Sequence, residues 1–581
     1  MQKKFTRSNI IVWFLDLFLI AFLVFDFGFQ NFKDFRVYKL IALPALLVSL
    51  IAFNLFKYKS LNSTLKIRKT ARVNLILLSL LIVLELFSII TNYQNSFLDT
   101  FFQERFIIEY GLLFYFFTRL TFLMRRIYSI YFNPAILFVG SFAIIALGGS
   151  FLLMLPAATT NGITFIDALF TSTSATAVTG LIVLDTAKDF TPFGQTIIML
   201  LFQIGGLGML TFTSFFAYFF KSGASFKESL YMKDILGQDN LSSIMRVAMS
   251  IVVFTLVLEA VGAILIYSSL EDINSFKDRG FFAVFHAISA YCNAGFSISS
   301  NGLYEETLRY NYPMQWVVML LIILGGLGYN IASNFIQYLQ HFVYNLFNRN
   351  NKVFISRVIT LNTKIVIYTT LILIIAGTGF FLFSEQNTFL KEHTSVFGKF
   401  TTAMFSSVTS RTAGFNTVDM RNFTIPGILF MIFLMWIGAS PASTGGGIKT
   451  TTFAIATLNI FSIAKDKSNI EIGTRRIAKE SVLRAFAIIA ISLASIGAGV
   501  LLLLIFNPQF TFLEISFEVF SAFSTVGLSL GITPELNEAG KYIVIFLMFF
   551  GRIGLINLMI GILKNVNTKE YTYPKENILI N

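Results

Sequence analysis

Four times along this 581-residue chain a short Ser/Thr-rich stretch runs into a single glycine. The copies read FTSTSATAVTGL, FHAISAYCNAGF, MFSSVTSRTAGF and FEVFSAFSTVGL, ending at Leu181, Phe296, Phe415 and Leu528. Laid under one another without gaps they share a glycine in column 11: Gly180, Gly295, Gly414 and Gly527, separated by 115, 119 and 113 residues. A period that long and that regular marks one architectural unit used four times. Each copy lies in strongly apolar sequence, so the unit must place a glycine bend inside or beside a bilayer. Irregular backbone is tolerated at that depth only where it is buried in protein or lines a watery path. Four such bends imply a ring of main-chain carbonyls around an ion.

With 55% hydrophobic and 13% charged residues and a mean hydropathy of +0.73, the expected class is an all-α polytopic membrane protein. The first apolar stretch, 10–27, follows Lys3, Lys4 and Arg7 but contains Asp16 and Asp26 and has no small-residue cleavage site, so it is expected to stay as a helix. The lone Cys292 excludes an intramolecular disulfide, and His286, His341 and His393 lie too far apart for metal-ligand spacing. Neither a metalloenzyme centre nor a bound cofactor is expected. The net charge of +13 would suggest nucleic acid in a soluble chain; its distribution here points to a basic membrane face instead.

Apolar runs near 10–29, 38–56, 74–92 and 106–124 are each close to the roughly 20 residues a spanning helix needs. They predict four extra helices before the repeats, in a segment 1–130. The link after the second carries Lys57, Lys59, Lys66, Arg68, Lys69 and Arg72 without an acid, whereas the turn after the third has Asp99 and Glu104 without a base. The positive-inside rule makes the first link and the N-terminus cytoplasmic. Four units then follow, 131–235, 236–350, 351–475 and 476–581, each reading as spanning helix, half-helix, glycine bend and spanning helix. Their links are basic, with Lys221, Lys227, Lys233 and Arg246, then Arg349, Lys352, Arg357 and Lys364, then Lys465, Lys467, Arg475, Arg476, Lys479 and Arg484. Turns containing Glu271, Asp272 and Asp278, and Glu385 and Glu392, face outward on this reading. Eight spanning helices and four re-entrant half-helices are expected in the repeats.

A half-helix ending at mid-membrane aims about −0.5 charge of carbonyl dipole at the centre, which favours a cation. Beyond it, Val178, Thr179 and Gly180 expose main-chain carbonyls, and such a stack can replace the water shell of a potassium ion. The second helices carry IGGLGM (204–209), LGGLGY (324–329), IGASPASTGGGIKTTT (437–452) and FGRIGL (550–555). The third, with Pro441, Gly445, Gly446 and Gly447 at mid-membrane, must break, since proline alone costs a helix interior about 3 kcal/mol. The other GGLG runs read as close helix packing. GGGIKT is not a phosphate-binding loop, because Ile448 stands where that motif needs glycine directly before lysine.

These features resemble the Trk/Ktr/HKT superfamily of potassium uptake proteins, most closely its bacterial Ktr/Trk ion-conducting subunits, over about residues 130 to 565. TAVTGL, YCNAGF, SRTAGFNT and STVGLS look like the four filter segments in order. The resemblance implies a filter of Val178, Thr179, Gly180; Asn293, Ala294, Gly295; Thr412, Ala413, Gly414; and Thr525, Val526, Gly527. Glycine at all four positions is the family pattern for potassium preference. It further implies that Gly438, Ala439, Ser440, Pro441, Ala442, Ser443, Thr444, Gly445, Gly446 and Gly447 form an intramembrane gating loop, with Lys449 at its cytoplasmic end. Arg552 is placed below the filter as a barrier to cations, the alternative being a structural salt bridge. Arg411 is expected to turn from the pore and brace the loop through backbone carbonyls, and Asn293 to orient its own strand. The resemblance also implies a homodimer, a separate cytoplasmic ring of nucleotide-binding regulatory subunits, and a bacterial cytoplasmic membrane location.

The basic inner face suits either such a partner or anionic lipid. The fourth leading helix carries Arg119, Arg125 and Arg126 but no arginine at every third position, so an accessory role is expected rather than a voltage sensor. The main alternative function is an ion-coupled secondary transporter for monovalent cations, whose broken helices also put glycine loops at mid-membrane. Such proteins usually show two repeats and an ionisable coupling residue; four repeats with neutral bends speak against it. A membrane-embedded enzyme would need a carboxylate or histidine cluster. Glu259 is the one obvious carboxylate, and it is expected to pair with a basic or polar neighbour.

Overall fold

The computed structural model describes scattered positions between 18 and 112, then 134–207, 244–270, 278–347, 359–467, 469–473 and 475–554. The principal helices are α1 (Pro134–Leu153), α2 (Phe165–Thr176), α3 (Pro192–Gly206), α4 (Ile244–Ser269), α5 (Arg279–Cys292), α6 (Tyr312–Phe347) and α7 (Leu361–Ser384). They continue with α8 (Val396–Thr409), α9 (Ile425–Trp436), α10 (Thr450–Ala464), α11 (Lys479–Phe506), α12 (Phe512–Ser524) and α13 (Glu538–Ile553). Long helix, short helix and second helix thus follow one another four times. Among the described residues α4, α6, α7 and α11 are long and apolar enough to cross a membrane. Their outward residues are greasy: Ile264, Ile375 and Ile505 are each more than two-thirds exposed, as suits lipid contact.

The short helices α2, α5, α8 and α12 have 12, 14, 14 and 13 residues. At 1.5 Å per residue they reach about 20 Å, short of the ~30 Å apolar core of a bilayer. Each start is fixed by a side chain that accepts from a free amide of the first turn: Thr164 from Asp167, Asp278 from Phe281, Ser395 from Gly398, and Thr511 from Glu514 in a capping box.

Buried apolar clusters join each unit to the next. Phe285 and Phe296 pack with Phe202 of the first unit, and Phe405 and Phe415 with Met319 of the second. Phe517 and Leu528 pack with Met435 of the third, and Phe170 and Leu181 of the first unit pack with Val544 of the fourth. The order therefore closes on itself. Polar contacts near the ends of these helices reinforce it. Lys541 Nζ lies 2.6 Å from Asp167, Arg421 Nε donates to Leu530 O at 2.9 Å, and Arg309 lies 3.4 Å from Glu392. Beside Glu392, burial lowers the His393 pKa from its usual value. Glu385, read from sequence as part of an acidic outer turn, is buried in the protein, accepting from Thr388 and Thr424 hydroxyls at 2.5 Å each and tying α7 to the start of α9.

The second helices break more often than the sequence suggested. The expected break lies between Trp436 and Thr450. In addition, α6 is kinked at Gly328 (φ 74°, ψ 162°) and α13 ends at Gly554 (φ 80°). Both glycines close the G-x-x-G of their motif and adopt the positive φ that a side chain resists. Close packing is found in the GGLG runs and in FGRIGL: Cβ atoms on Gly205, Gly325 and Gly551 would meet the carbonyls of Thr176, Tyr291 and Phe523, the residues of column 7, and one on Gly206 would meet the Cys292 side chain.

Before the first unit, Leu19, Leu46, Leu47, Leu50, Leu78, Leu81 and Leu112 form a buried cluster of their own. Ala157 N donates to Gly28 O at 3.1 Å, joining this segment to the first unit. Most of the four expected leading helices lies outside the described residues. So do the links 208–243 and 348–358, the turn 271–277 and the tail 555–581, with the basic clusters and charges assigned to them. The third link is described in part and carries a short antiparallel hairpin pairing Glu471 with Arg476.

Candidate ion-conduction site

Each short helix is stopped by the same device. The residue in column 9 takes positive φ in all four copies: Val178 57°, Asn293 60°, Thr412 66° and Thr525 52°. Left-handed closure of this kind satisfies the last free carbonyls of a helix, and a β-branched valine there is costly, so the surroundings must enforce it. Two residues on, the glycines take φ of 90°, 70°, 78° and 93°. Alternation of φ sign along a strand aims successive carbonyls the same way.

The four bends form a ring. A Cβ on Gly180 would strike Ala294 O, one on Gly295 Ala413 O, one on Gly414 Val526 O, and one on Gly527 Thr179 O. Each glycine therefore abuts the preceding carbonyl of the next strand, and the fourth abuts the first. Columns 10 and 11 of all four copies meet in this ring, and the column 9 residues Val178, Asn293, Thr412 and Thr525 precede them on the same strands. Hydroxyls that were not singled out from sequence brace it from behind. Ser174 donates to Leu181 O at 2.7 Å and accepts from Gly180 N at 3.1 Å. Ser289 donates to Phe296 O at 2.8 Å, Thr409 to Phe415 O at 2.6 Å, and Ser521 accepts from Gly527 N at 3.1 Å. Serine in column 5 of three copies was the available signal. The hydroxyls of Thr179, Thr412 and Thr525 have no hydrogen-bond partner among the described residues, although buried hydroxyls are normally satisfied. Oxygen donors left over beside a ring of carbonyls suit a hard monovalent cation.

Beneath the ring lies the 437–449 segment. It doubles back on itself, with Gly438 N donating to Ile448 O at 2.8 Å and Ala439 N to Gly446 O at 3.4 Å. Ser440 N donates to Gly326 O at 3.0 Å, Ser440 Oγ to Leu327 O at 2.6 Å, and Thr444 N to Gly325 O at 3.3 Å, so the loop is seated on the second unit. Ala442 and Ser443 fit the kink at Gly328. On the other side, Gly445 faces the Thr412 hydroxyl and Gly446 the Thr525 hydroxyl. Pro441 lies in the turn of the loop and Gly447 at a bend with φ 64°, and Lys449 Nζ bends back to donate to Gly445 O at 2.7 Å.

Arg552 reaches from the fourth unit to donate to Thr444 O in this loop and, at 2.6 Å, to Gly205 O of the first unit. Among the described residues its partners are carbonyls and not a carboxylate, so the structural salt bridge weighed from sequence is absent there. Loop, arginine and Gly205 bring parts of all four units together directly below the ring. Arg411, as expected, turns into the protein, donating to Gly438 O at 3.3 Å where the loop begins. Asn293, with its amide nitrogen turned toward the carbonyls of Ala290 and Ile322 at 3.2 and 3.3 Å, ties its strand to α5 and α6. Glu259 finds polar partners: Gln203 Nε2 donates to it at 3.0 Å and Cys292 Sγ lies 3.8 Å away.

The sequence model of the TrkH family, described as cation transport protein, matches residues 103–571. The potassium/sodium uptake protein NtpJ of Enterococcus hirae is 35% identical over 459 residues, covering 77% of this chain and 97% of that protein. Ktr system potassium uptake protein B of Bacillus subtilis is 36% identical over 442 residues, 76% of this chain and 95% of its own. The crystal structure of the potassium transporter TrkH from Vibrio parahaemolyticus superposes with a TM-score of 0.59 at 17% identity, covering 84% of this chain and 97% of that one, a likeness of fold. With the family model matching residues 103–571 and NtpJ 35% identical over 97% of its length, this chain belongs to the TrkH family of cation transport proteins.

Proposed function

We propose that the chain is a gated potassium-uptake pore without enzymatic activity. The observation that carries the reading is the ring in which each of four glycines abuts the next strand's carbonyl. An ion at its centre would exchange water for carbonyl oxygens of columns 9 to 11, supported by the C-terminal ends of four half-helices whose dipoles favour positive charge. The loop and Arg552 act as the gate. The guanidinium raises the barrier to a cation below the ring, and opening requires the loop to leave its seat on 325–327. Relatives named for potassium uptake, at 35 and 36% identity along nearly their whole length, support this substrate. Because one of them is named for sodium as well, the potassium-to-sodium flux ratio is the quantity to measure. Potassium is cargo here. Nucleotide would act through a separate cytoplasmic regulatory ring, and the membrane component would be a homodimer in a bacterial cytoplasmic membrane.

The test is growth of a potassium-uptake-deficient bacterium on low potassium, with the chain expressed alone and with a regulatory partner, backed by flux into liposomes. The parent should rescue growth. Gly180→Ser should lose potassium preference, since the serine Cβ would strike the Ala294 carbonyl at a φ of 90°. A well-expressed parent that neither rescues growth nor moves potassium into liposomes would defeat the reading.

A further inference from the structure

His286 and Glu518 stand in column 2 of the second and fourth copies, and both are fully buried. Each reaches past its own half-helix to the same point on the strand beyond the glycine. Glu518 Oε2 accepts from Ser529 Oγ at 2.7 Å, and Gly531 N donates to that hydroxyl at 2.9 Å. Thr533 also donates to Glu518. His286 Nδ1 lies 2.9 Å from Phe282 O, which can only accept, so Nε2 is left to accept from Ser297 Oγ at 2.8 Å; Ser299 N donates to that hydroxyl at 3.1 Å. Ser297 and Ser529 both lie two residues after their glycine. In the first and third copies column 2 holds Thr171 and Phe405, and the positions after the glycine hold Ile182 and Asn416. The ring order sets the second and fourth strands opposite each other. One diagonal of the ring is thus tethered to its half-helices by an acceptor, a serine and an amide in series, and the other is not.

Resting on the reading above, we propose that His286 and Glu518 are positioning residues that hold the two opposed strands beyond the glycines, and that this pair of tethers sets the discrimination of potassium from sodium. Selectivity is a small difference between two solvation free energies, so it responds to strand displacements too small to stop flux. Removing His286 leaves the Ser297 hydroxyl without its acceptor, and removing Glu518 leaves the Ser529 hydroxyl no side-chain partner but Thr533 at 3.0 Å; either strand loses its tie to the half-helix, and the expected fall in the potassium-to-sodium ratio is at least about fivefold.

The experiment uses the full chain in liposomes, measuring potassium and sodium influx separately. Glu518→Ala and His286→Ala should lower the ratio while retaining total cation flux. Glu518→Gln, which keeps hydrogen-bonding atoms within reach of Ser529 and Thr533, should restore it. Thr171→Ala, at the same column of the diagonal that lacks this serine tether, should leave it unchanged. If the alanine variants at the buried sites fail to accumulate, Ser529→Ala and Ser297→Ala cut the same tethers from the strand side and should lower the ratio alike. Conducting serine variants with the parental ratio overturn the inference alone. A parent that moves no potassium overturns the functional reading, and the inference falls with it.

Discussion

Arg552 makes two hydrogen bonds to carbonyls of different units, one of them in the loop. A charge-assisted bond of this kind contributes roughly 1.5–3 kcal/mol, so the residue both tethers the loop and places a positive charge beneath the ring. Substitution separates the two roles. Arg552→Ala removes both and should raise the rate of potassium influx about tenfold or more, about 1.4 kcal/mol of barrier being a factor of ten. Arg552→Lys keeps the charge but not the planar fork. It should stay near the parental rate if charge dominates and follow alanine if the tether does. A well-expressed Arg552→Ala with unchanged or lower influx would remove this residue from the gate. The anomaly of an arginine in an apolar run was visible in the sequence, as was the inward turn of Arg411. Their partners were not, because a carbonyl 27 residues away for Arg411, or 108 and 347 away for Arg552, leaves no mark on the local pattern. His286 was legible only as a histidine without metal spacing, since its role depends on a serine whose meaning comes from the folded strand.

At the scale of elements, helix interiors follow from apolar length and caps, whereas breaks depend on what packs against them. The 437–449 loop was legible because proline and clustered glycines are intolerable in a helix whatever surrounds them. The kink at Gly328 was not, because the glycines of LGGLGY are compatible with a packed helix until Ala442 and Ser443 occupy the adjoining space. The third unit's loop thus required a matching bend in the second unit's helix. Gly328→Ala tests that coupling. An alanine there meets Ala442 O at 2.8 Å and Ser443 Cα at 3.0 Å, at a φ where an L-residue is strained by roughly 1–2 kcal/mol. The loop should be displaced, giving higher basal influx and a lower apparent unfolding temperature in detergent. Gly379→Ala, in α7 with open space around the added methyl, should change neither. Equal behaviour of the two variants would mean that loop and kink are independent.

Among the described residues, a closed ring of four units stands beside leading-segment leucines that form a core of their own. The ring is joined by apolar clusters at all four junctions, and the last unit is tied to the first by Lys541 and Asp167. The leucines of the leading segment cluster among themselves, and its contact with the ring runs through Gly28, against Leu155 and Ala157, with Val24 and Phe29 packed on the first unit. None of these residues is among the nearest neighbours of the four bend glycines or of Gly438, Gly445, Gly446 and Gly447. The family match begins at residue 103, and NtpJ is covered over 97% of its length by 77% of this chain. A chain lacking residues 1–102 should therefore retain potassium influx and its potassium-to-sodium ratio. It should also unfold at a lower apparent temperature, because the apolar surface around Leu155 loses its cover. Influx into liposomes and thermal unfolding in detergent, measured on the same preparation, separate the two effects. Loss of influx or of the ratio in a truncated chain that still unfolds cooperatively would make the leading segment part of the conducting machinery, and the division into ring and accessory segment would fail.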